Sequence, residues 1–202
     1  MNRRYDASGR KQAANETREK ILQAALKLHW EGITEYGPLA REAGCSVPTV
    51  RKHFPTKESI FQNCTRTFAE SLTMPDLESL GRISSPTLRL EQSVSELCRI
   101  HESMFEYAWN SAHWRKDSPT LDTVMTAYEG LADAIAETLD PADHNRKPVI
   151  RGLLDFLTYR ALRLSGGLSA DHARDELVAT LRPIVLNDGP TPPNPSKETQ
   201  EP

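Results

Sequence analysis

No stretch of this 202-residue sequence approaches the ~18 consecutive apolar residues that a membrane span needs. Even the richest segment, IRGLLDFLTYRALRL, is interrupted by Arg151, Asp155, Arg160 and Arg163. Cysteine is equally scarce. Cys45, Cys64 and Cys98 are odd in number and widely spaced, which speaks against a disulfide framework. No charged-then-apolar N-terminal segment resembles a signal peptide, so a soluble protein of the reducing cytoplasm is expected. Catalytic and metal-binding patterns are also missing. No Ser-His-Asp or Cys-His constellation has supporting context. Cys98 and His101 lie three apart, but no second pair at ligand spacing joins them. The expectation is a protein that is not an enzyme and that holds neither metal nor cofactor.

What is present is the composition of an ordinary globular chain, with 38% apolar and 26% charged residues. The net charge of -3 conceals an asymmetry. Residues 1–70 carry 12 Lys and Arg against 8 Asp and Glu, and residues 71–202 carry 13 against 20. A basic N-terminal part beside an acidic remainder fits two modules with different partners.

The first residues, through position 14, are polar and basic without periodicity, and they read as a mobile arm. In it Arg3, Arg4, Arg10 and Lys11 are candidates for a minor groove. From about Thr17 the apolar positions Ile21, Leu22, Ala24, Ala25 and Leu28 recur at helical spacing until Gly32. Two short helices follow. GPLAREAG opens at Pro38 and closes at Gly44, and SVPTVRKHF is capped by Ser46 with Pro48 in its first turn. That is the spacing of a helix-turn-helix. Pro55 then stops the second helix, and Thr56 caps a longer one.

A Pro-, Gly- and Ser-rich break from about Met74 to Pro86 marks the expected domain boundary. This gives a helix-turn-helix domain over residues 15–73, a helical domain over 74–186 and a Pro-rich disordered tail over 187–202. No convincing strand pattern follows the break, so the fold class is all-α. Helices are expected through Leu90 to Ala108, from Pro119 to Leu139, from Pro148 to Leu164 and from Ser169 to Leu186.

Along SVPTVRKHF, Val50 and Phe54 face inward at 100° per residue, and Pro48, Thr49 and Lys52 face away with Arg51 and His53 on the flanks. Such a face suits a DNA major groove, where arginine can reach two guanine acceptors. Lys57, at the start of the next helix, adds a cation beside free N–H groups.

At these residues the chain resembles the tetracycline-repressor (TetR) family of bacterial transcription regulators. The likeness runs from Thr17 to Phe68 and rests on TREKILQAALKLHWEG and LAREAGCSVPTVRKHFPTKESIF. It implies a three-helix DNA-reading head and a C-terminal helical domain that binds a small effector and dimerises. Release from operator double-stranded DNA on effector binding is implied as well. The DNA-contacting set becomes Val47, Pro48, Thr49, Arg51, Lys52, His53 and Lys57. An effector cavity would draw on His101, Met104, Phe105, Tyr107, Trp109, Trp114, Tyr128, Phe156 and Tyr159. The last two helices carry apolar residues on more than one face, among them Leu157, Ala161, Leu164 and Leu181, which suits a homodimer interface. The other reading is a DNA-binding regulator or architectural protein with no small-molecule switch.

Two departures from the family stand out. Arg51, which would bond a guanine or a phosphate, occupies a position where relatives usually carry an aromatic, and the linker GITEYGPLA is shorter than usual. The second departure leaves contacts at the start of the second helix unassigned to Tyr36 or Gly37.

Overall fold

The computed structural model describes residues 7–141 and 143–186, and among them every regular element is a helix. Arg3, Arg4 and the 187–202 tail lie outside the described residues. The order is α1 (Ala7–Trp30), α2 (Tyr36–Glu42), α3 (Val47–His53), α4 (Lys57–Ser71) and α5 (Leu77–Gly81). Then come α6 (Pro86–Trp114), α7 (Pro119–Leu139), α8 (Lys147–Leu153), α9 (Phe156–Leu164) and α10 (Ala170–Leu186).

Helix α1 starts ten residues before the apolar periodicity does, at Ala7 rather than Thr17, so Arg10 and Lys11 belong to a helix and not to an arm. Good helix formers, Lys11, Gln12, Ala13 and Ala14, extend it without any buried face. Gln12 donates to Glu16 at 3.1 Å, one turn on.

The chain forms two compact units. The first comprises the described part of residues 1–74 together with Glu102–Gly130, and the second Pro75–His101 with the described part of 131–202. The Met74–Pro86 break is thus only one of the crossings, because α6 and α7 each give one segment to either unit. The physical reason is that α1 and α4 leave a second face to bury. Phe68 of α4 stacks on Tyr107 at 4.7 Å between centroids, and the Thr65 and Tyr107 hydroxyls share a hydrogen bond of 2.6 Å.

Inside the first unit, Ile21, Ala25 and Leu28 of α1 pack with Leu39 and Ala40 of α2, Val50 and Phe54 around α3, and Ile60 and Cys64 of α4. Two polar ties join these helices to the 102–130 segment. Asn110 donates from Nδ2 to the carbonyls of His29 and Trp30, both at 3.0 Å, closing the last turn of α1. Glu58 of α4 accepts from the Ser118 hydroxyl at 2.6 Å and from the Thr120 N–H at 2.9 Å and hydroxyl at 2.5 Å. Burial works against ionisation of Glu58, yet these hydrogen bonds outweigh it and hold the carboxyl below its ordinary range.

In the second unit α10 buries Ala173, Leu177, Leu181 and Val185 and packs on α8 and α9. The single helix expected from Pro148 to Leu164 is broken in two. Asp155 accepts the Leu157 N–H at 2.8 Å, which makes it the cap of a new helix rather than a residue inside an old one.

His29, at 9% exposure, sits with its ring 5.1 Å from that of Phe61. Burial, and secondarily the charge of Lys57, lowers its pKa from 6.5 to about 4. The folded state therefore keeps His29 neutral where the unfolded chain takes up a proton. The stability this contributes is complete above about pH 6.5 and is lost as the pH falls towards 4. Urea unfolding should show the wild type losing about 2 kcal/mol between pH 7.5 and pH 5 through this group, and His29→Gln should remove that share of the loss.

Candidate nucleic-acid interface

The turn between α2 and α3 is built by Gly44, which takes a φ of +64°. Its own N–H bonds the Arg41 carbonyl at 3.1 Å and the Cys45 N–H reaches back to the Ala40 carbonyl at 2.9 Å, a glycine-closed helix end. Ser46 then opens α3. Its Oγ accepts the Thr49 N–H at 3.2 Å and lies 2.8 Å from the Thr49 hydroxyl. The Thr49 hydroxyl is thereby engaged within the protein.

Val50 is fully buried and Phe54 is 1% exposed, so α3 is fixed from its inner side. Pro48, Arg51 and Lys52 are exposed on the other side, and Thr49 and His53 are half-buried. Val47 packs in part against the core, which leaves less of it for an outside contact than its place in the predicted set implied.

Thr56 and Ser59 form a reciprocal cap at the start of α4, with the Ser59 N–H bonded to Thr56 Oγ1 at 3.1 Å. Lys57 is the first residue of that helix, where a cation opposes the helix dipole unless an anion arrives. Its Nζ donates to Thr34 Oγ1 at 3.3 Å and lies 5.9 Å from the centre of a Trp114 ring. Lys57 is thus drawn towards Thr34 and Trp114, and it must turn outward to meet a phosphate.

Arg51 has a partner that the sequence does not advertise. Its guanidinium carbon stands 5.1 Å from the centre of the Tyr36 ring, within the range of a cation–π contact. Tyr36 is the first residue of α2, which starts two residues before the expected Pro38. Arg18 makes a similar contact on the opposite side of the core, 4.9 Å over the Phe54 ring, while donating to Asn63 at 2.5 Å.

The residues proposed for an effector cavity fall in both units. Met104, Phe105, Tyr107, Trp109, Trp114 and Tyr128 belong to the first unit, and His101, Phe156 and Tyr159 to the second. Trp109 is 46% exposed, whereas Met104, Tyr107 and Tyr128 are core. In the second unit the His101 ring, 2% exposed, lies 3.1 Å by Nε2 from the Leu154 carbonyl and packs at 5.2 Å on Tyr159 and 5.8 Å on Phe156. This is the interior of a helix bundle. Tyr107 and Trp114 do line a cavity with His29, Thr34, Phe61, Asn110, Ser111 and Leu121, but it measures about 10 Å³. That is room for about one water.

The fold has counterparts among solved structures. A transcriptional regulator from Rhodococcus sp. Rha1 superposes with a TM-score of 0.56 at 18% identity, over 87% of this chain and 99% of that one. A TetR transcriptional regulator from Rhodococcus sp. RHA1 aligns over 90% of this chain and 99% of its own, at 0.44 and 16% identity. The multidrug binding protein EbrR, solved with imidazole, aligns over 96% of both chains at 0.49 and 19% identity. The first of the three carries the likeness in fold. No family model matches the sequence, and no curated protein is significantly similar to it.

Because α3 has only two turns, its cap matters more than a cap on a long helix would. Ser46→Ala should lower stability by about 1 kcal/mol, and Ser46→Asp, which restores an accepting oxygen, should recover most of it in thermal unfolding.

Proposed function

We propose that this protein is a DNA-binding transcriptional regulator of the cytoplasm, a repressor that occupies operator DNA as a homodimer. One observation carries the reading: α3 is anchored by Val50 and Phe54 and turns Pro48, Arg51 and Lys52 to solvent. A short helix buried on one side and cationic on the other is suited to a major groove. Thr49, Lys52, His53 and Lys57 place the protein on the sugar-phosphate backbone and the thymine methyls, and Arg51 reads base edges. Residues Arg10 and Lys11, on the exposed start of α1, add to the basic surface. The TetR resemblance is all-helical and non-enzymatic in its implications, and it agrees with this assignment.

The dimer is assigned to the last helices of the second unit, with a correction to which residues form it. Leu181, which the sequence pattern offers to a partner, is 0% exposed within the protomer. Leu157 and Leu164 of α9 are both 58% exposed, and Ala161 stands between them on the same face. Three apolar residues at helical spacing, facing outward, suit a second copy of α9.

Release by a small-molecule effector is the family's implication, drawn on His101, Phe156 and Tyr159 with the aromatic residues of α6 and α7. The alternative is a DNA-binding regulator without such a switch; the cavity at Tyr107 and Trp114, about 10 Å³ in volume, holds about one water.

Affinity for a selected duplex should fall steeply with salt, by a log-log slope of about 0.9 for each phosphate neutralised. Lys52→Ala should reduce that slope by about one per subunit in fluorescence anisotropy titrations. An affinity indifferent to salt would remove the DNA assignment.

Leu164→Glu should give folded monomers in sedimentation velocity with an unchanged helical spectrum, because the side chain lies outside the protomer core. A wild type that sediments as a monomer at micromolar concentration would remove the dimer.

A further inference from the structure

Arg51 leaves α3 on its exposed side, and its guanidinium carbon lies over the Tyr36 ring, 5.1 Å from the centroid. The ring itself is held at two ends. Its backbone begins α2, and its hydroxyl donates to the carbonyl of Phe54, the residue that closes α3, at 3.4 Å. Phe54 is in turn fixed in the core at 1% exposure. Burial raises the pKa of the phenol and the charge of Arg51 partly opposes this, so Tyr36 is neutral around pH 7. Arg51 therefore rests on a neutral aromatic surface that is tied to both helices of the helix-turn-helix.

The contact has a directional consequence. An arginine on a surface helix samples many rotamers, and it loses that freedom when it binds. A guanidinium held over a ring by its charge keeps its N–H groups, which lie in its own plane, available to an outside acceptor. Those N–H groups form the fork that matches the O6 and N7 acceptors of guanine. A lysine at the same position offers no plane to stack and no fork.

We propose that Tyr36 is a positioning residue for sequence reading, whose ring holds the Arg51 guanidinium with its N–H edge turned towards a guanine in the major groove. This rests on α3 being the DNA-reading helix. It assigns to the start of α2 a role that the short linker before it left open, and it makes Arg51 and Tyr36 one reading element.

The test uses the full-length protein and duplexes selected by it from a randomised pool. Anisotropy titrations at one salt concentration then compare the preferred duplex with its single-base variants. Tyr36→Ala should weaken the preferred duplex about two- to five-fold, the range for an exposed cation–π contact, and leave non-specific binding unchanged. It should flatten the preference at the same base pair that Arg51→Ala flattens, and it should add nothing in the Arg51→Ala background. Tyr36→Phe keeps the ring and should keep the preference. Tyr36→Leu keeps apolar bulk without a π face and should behave like Tyr36→Ala, which covers the case in which the alanine variant does not fold. Equal losses on every duplex, losses additive with Arg51→Ala, or a Tyr36→Phe as defective as the alanine variant would overturn the proposal while leaving α3 as the reader. A wild type that selects no sequence would overturn both.

Discussion

Everything exposed on α3 depends on what is hidden beneath it. A helix of seven residues does not hold together in water, since nucleation costs more than so few hydrogen bonds return. Val50 at 0% and Phe54 at 1% exposure supply what the backbone lacks, seating α3 on α1, α2 and α4. Removing the Phe54 side chain would cost about 3–5 kcal/mol, comparable to the stability of a small unit. The cap from Ser46 and the stop at Phe54 then set the two ends, so position and direction of the helix are decided from inside. Only after that do the charges of Arg51 and Lys52 acquire a geometry.

The electrostatics of the first unit follow a division between neighbours. Lys57 and Glu58 are adjacent, yet Glu58 is committed to Ser118 and Thr120 at the start of α7 whereas Lys57 makes a 3.3 Å bond to Thr34 and a long contact with the Trp114 ring. Strong fixation of the anion leaves the cation as the adjustable member. The depressed pKa of His29 belongs to the same arrangement, because a second positive charge next to Lys57 in a buried site would be doubly unfavourable.

Much of this was legible in the sequence, and the illegible part has physical causes. Turn glycines, caps and prolines are local signals, so Gly44, Ser46, Pro48 and Thr56 placed the helix-turn-helix correctly. The apolar stripe of α1 was equally plain from Ile21 to Leu28. Its first ten residues were not, because Gly9 to Glu16 are exposed and periodicity is silent where no face is buried. The break at Asp155 was hidden by apolar residues on both sides of it, since an aspartate at a cap and one on a helix face read alike until the Leu157 N–H is seen to bond it. Aromatic residues of α6 and α7 could not be divided between pocket and core from spacing alone. The Arg51 and Tyr36 pair spans two helices, and only the turn at Gly44 brings its members together.

The composition of the first unit bears on how the chain comes to be folded at all. Tyr107 and Leu121 lie in the 102–130 segment, Tyr107 stacked on Phe68 and Leu121 beside Phe61 and His29, so the segment before Met74 emerges from synthesis without part of its own interior. A fragment cut in the Pro- and Ser-rich stretch after Leu72 would carry Phe61 and Phe68 with no Tyr107 to cover them, and Glu58 with no Ser118 or Thr120 to bond. The helix-turn-helix is sequence-contiguous as a motif but not as a folding unit. Nascent chains would complete it only after residue 130 has left the ribosome, which puts the risk of early aggregation in the interval between α4 and α7.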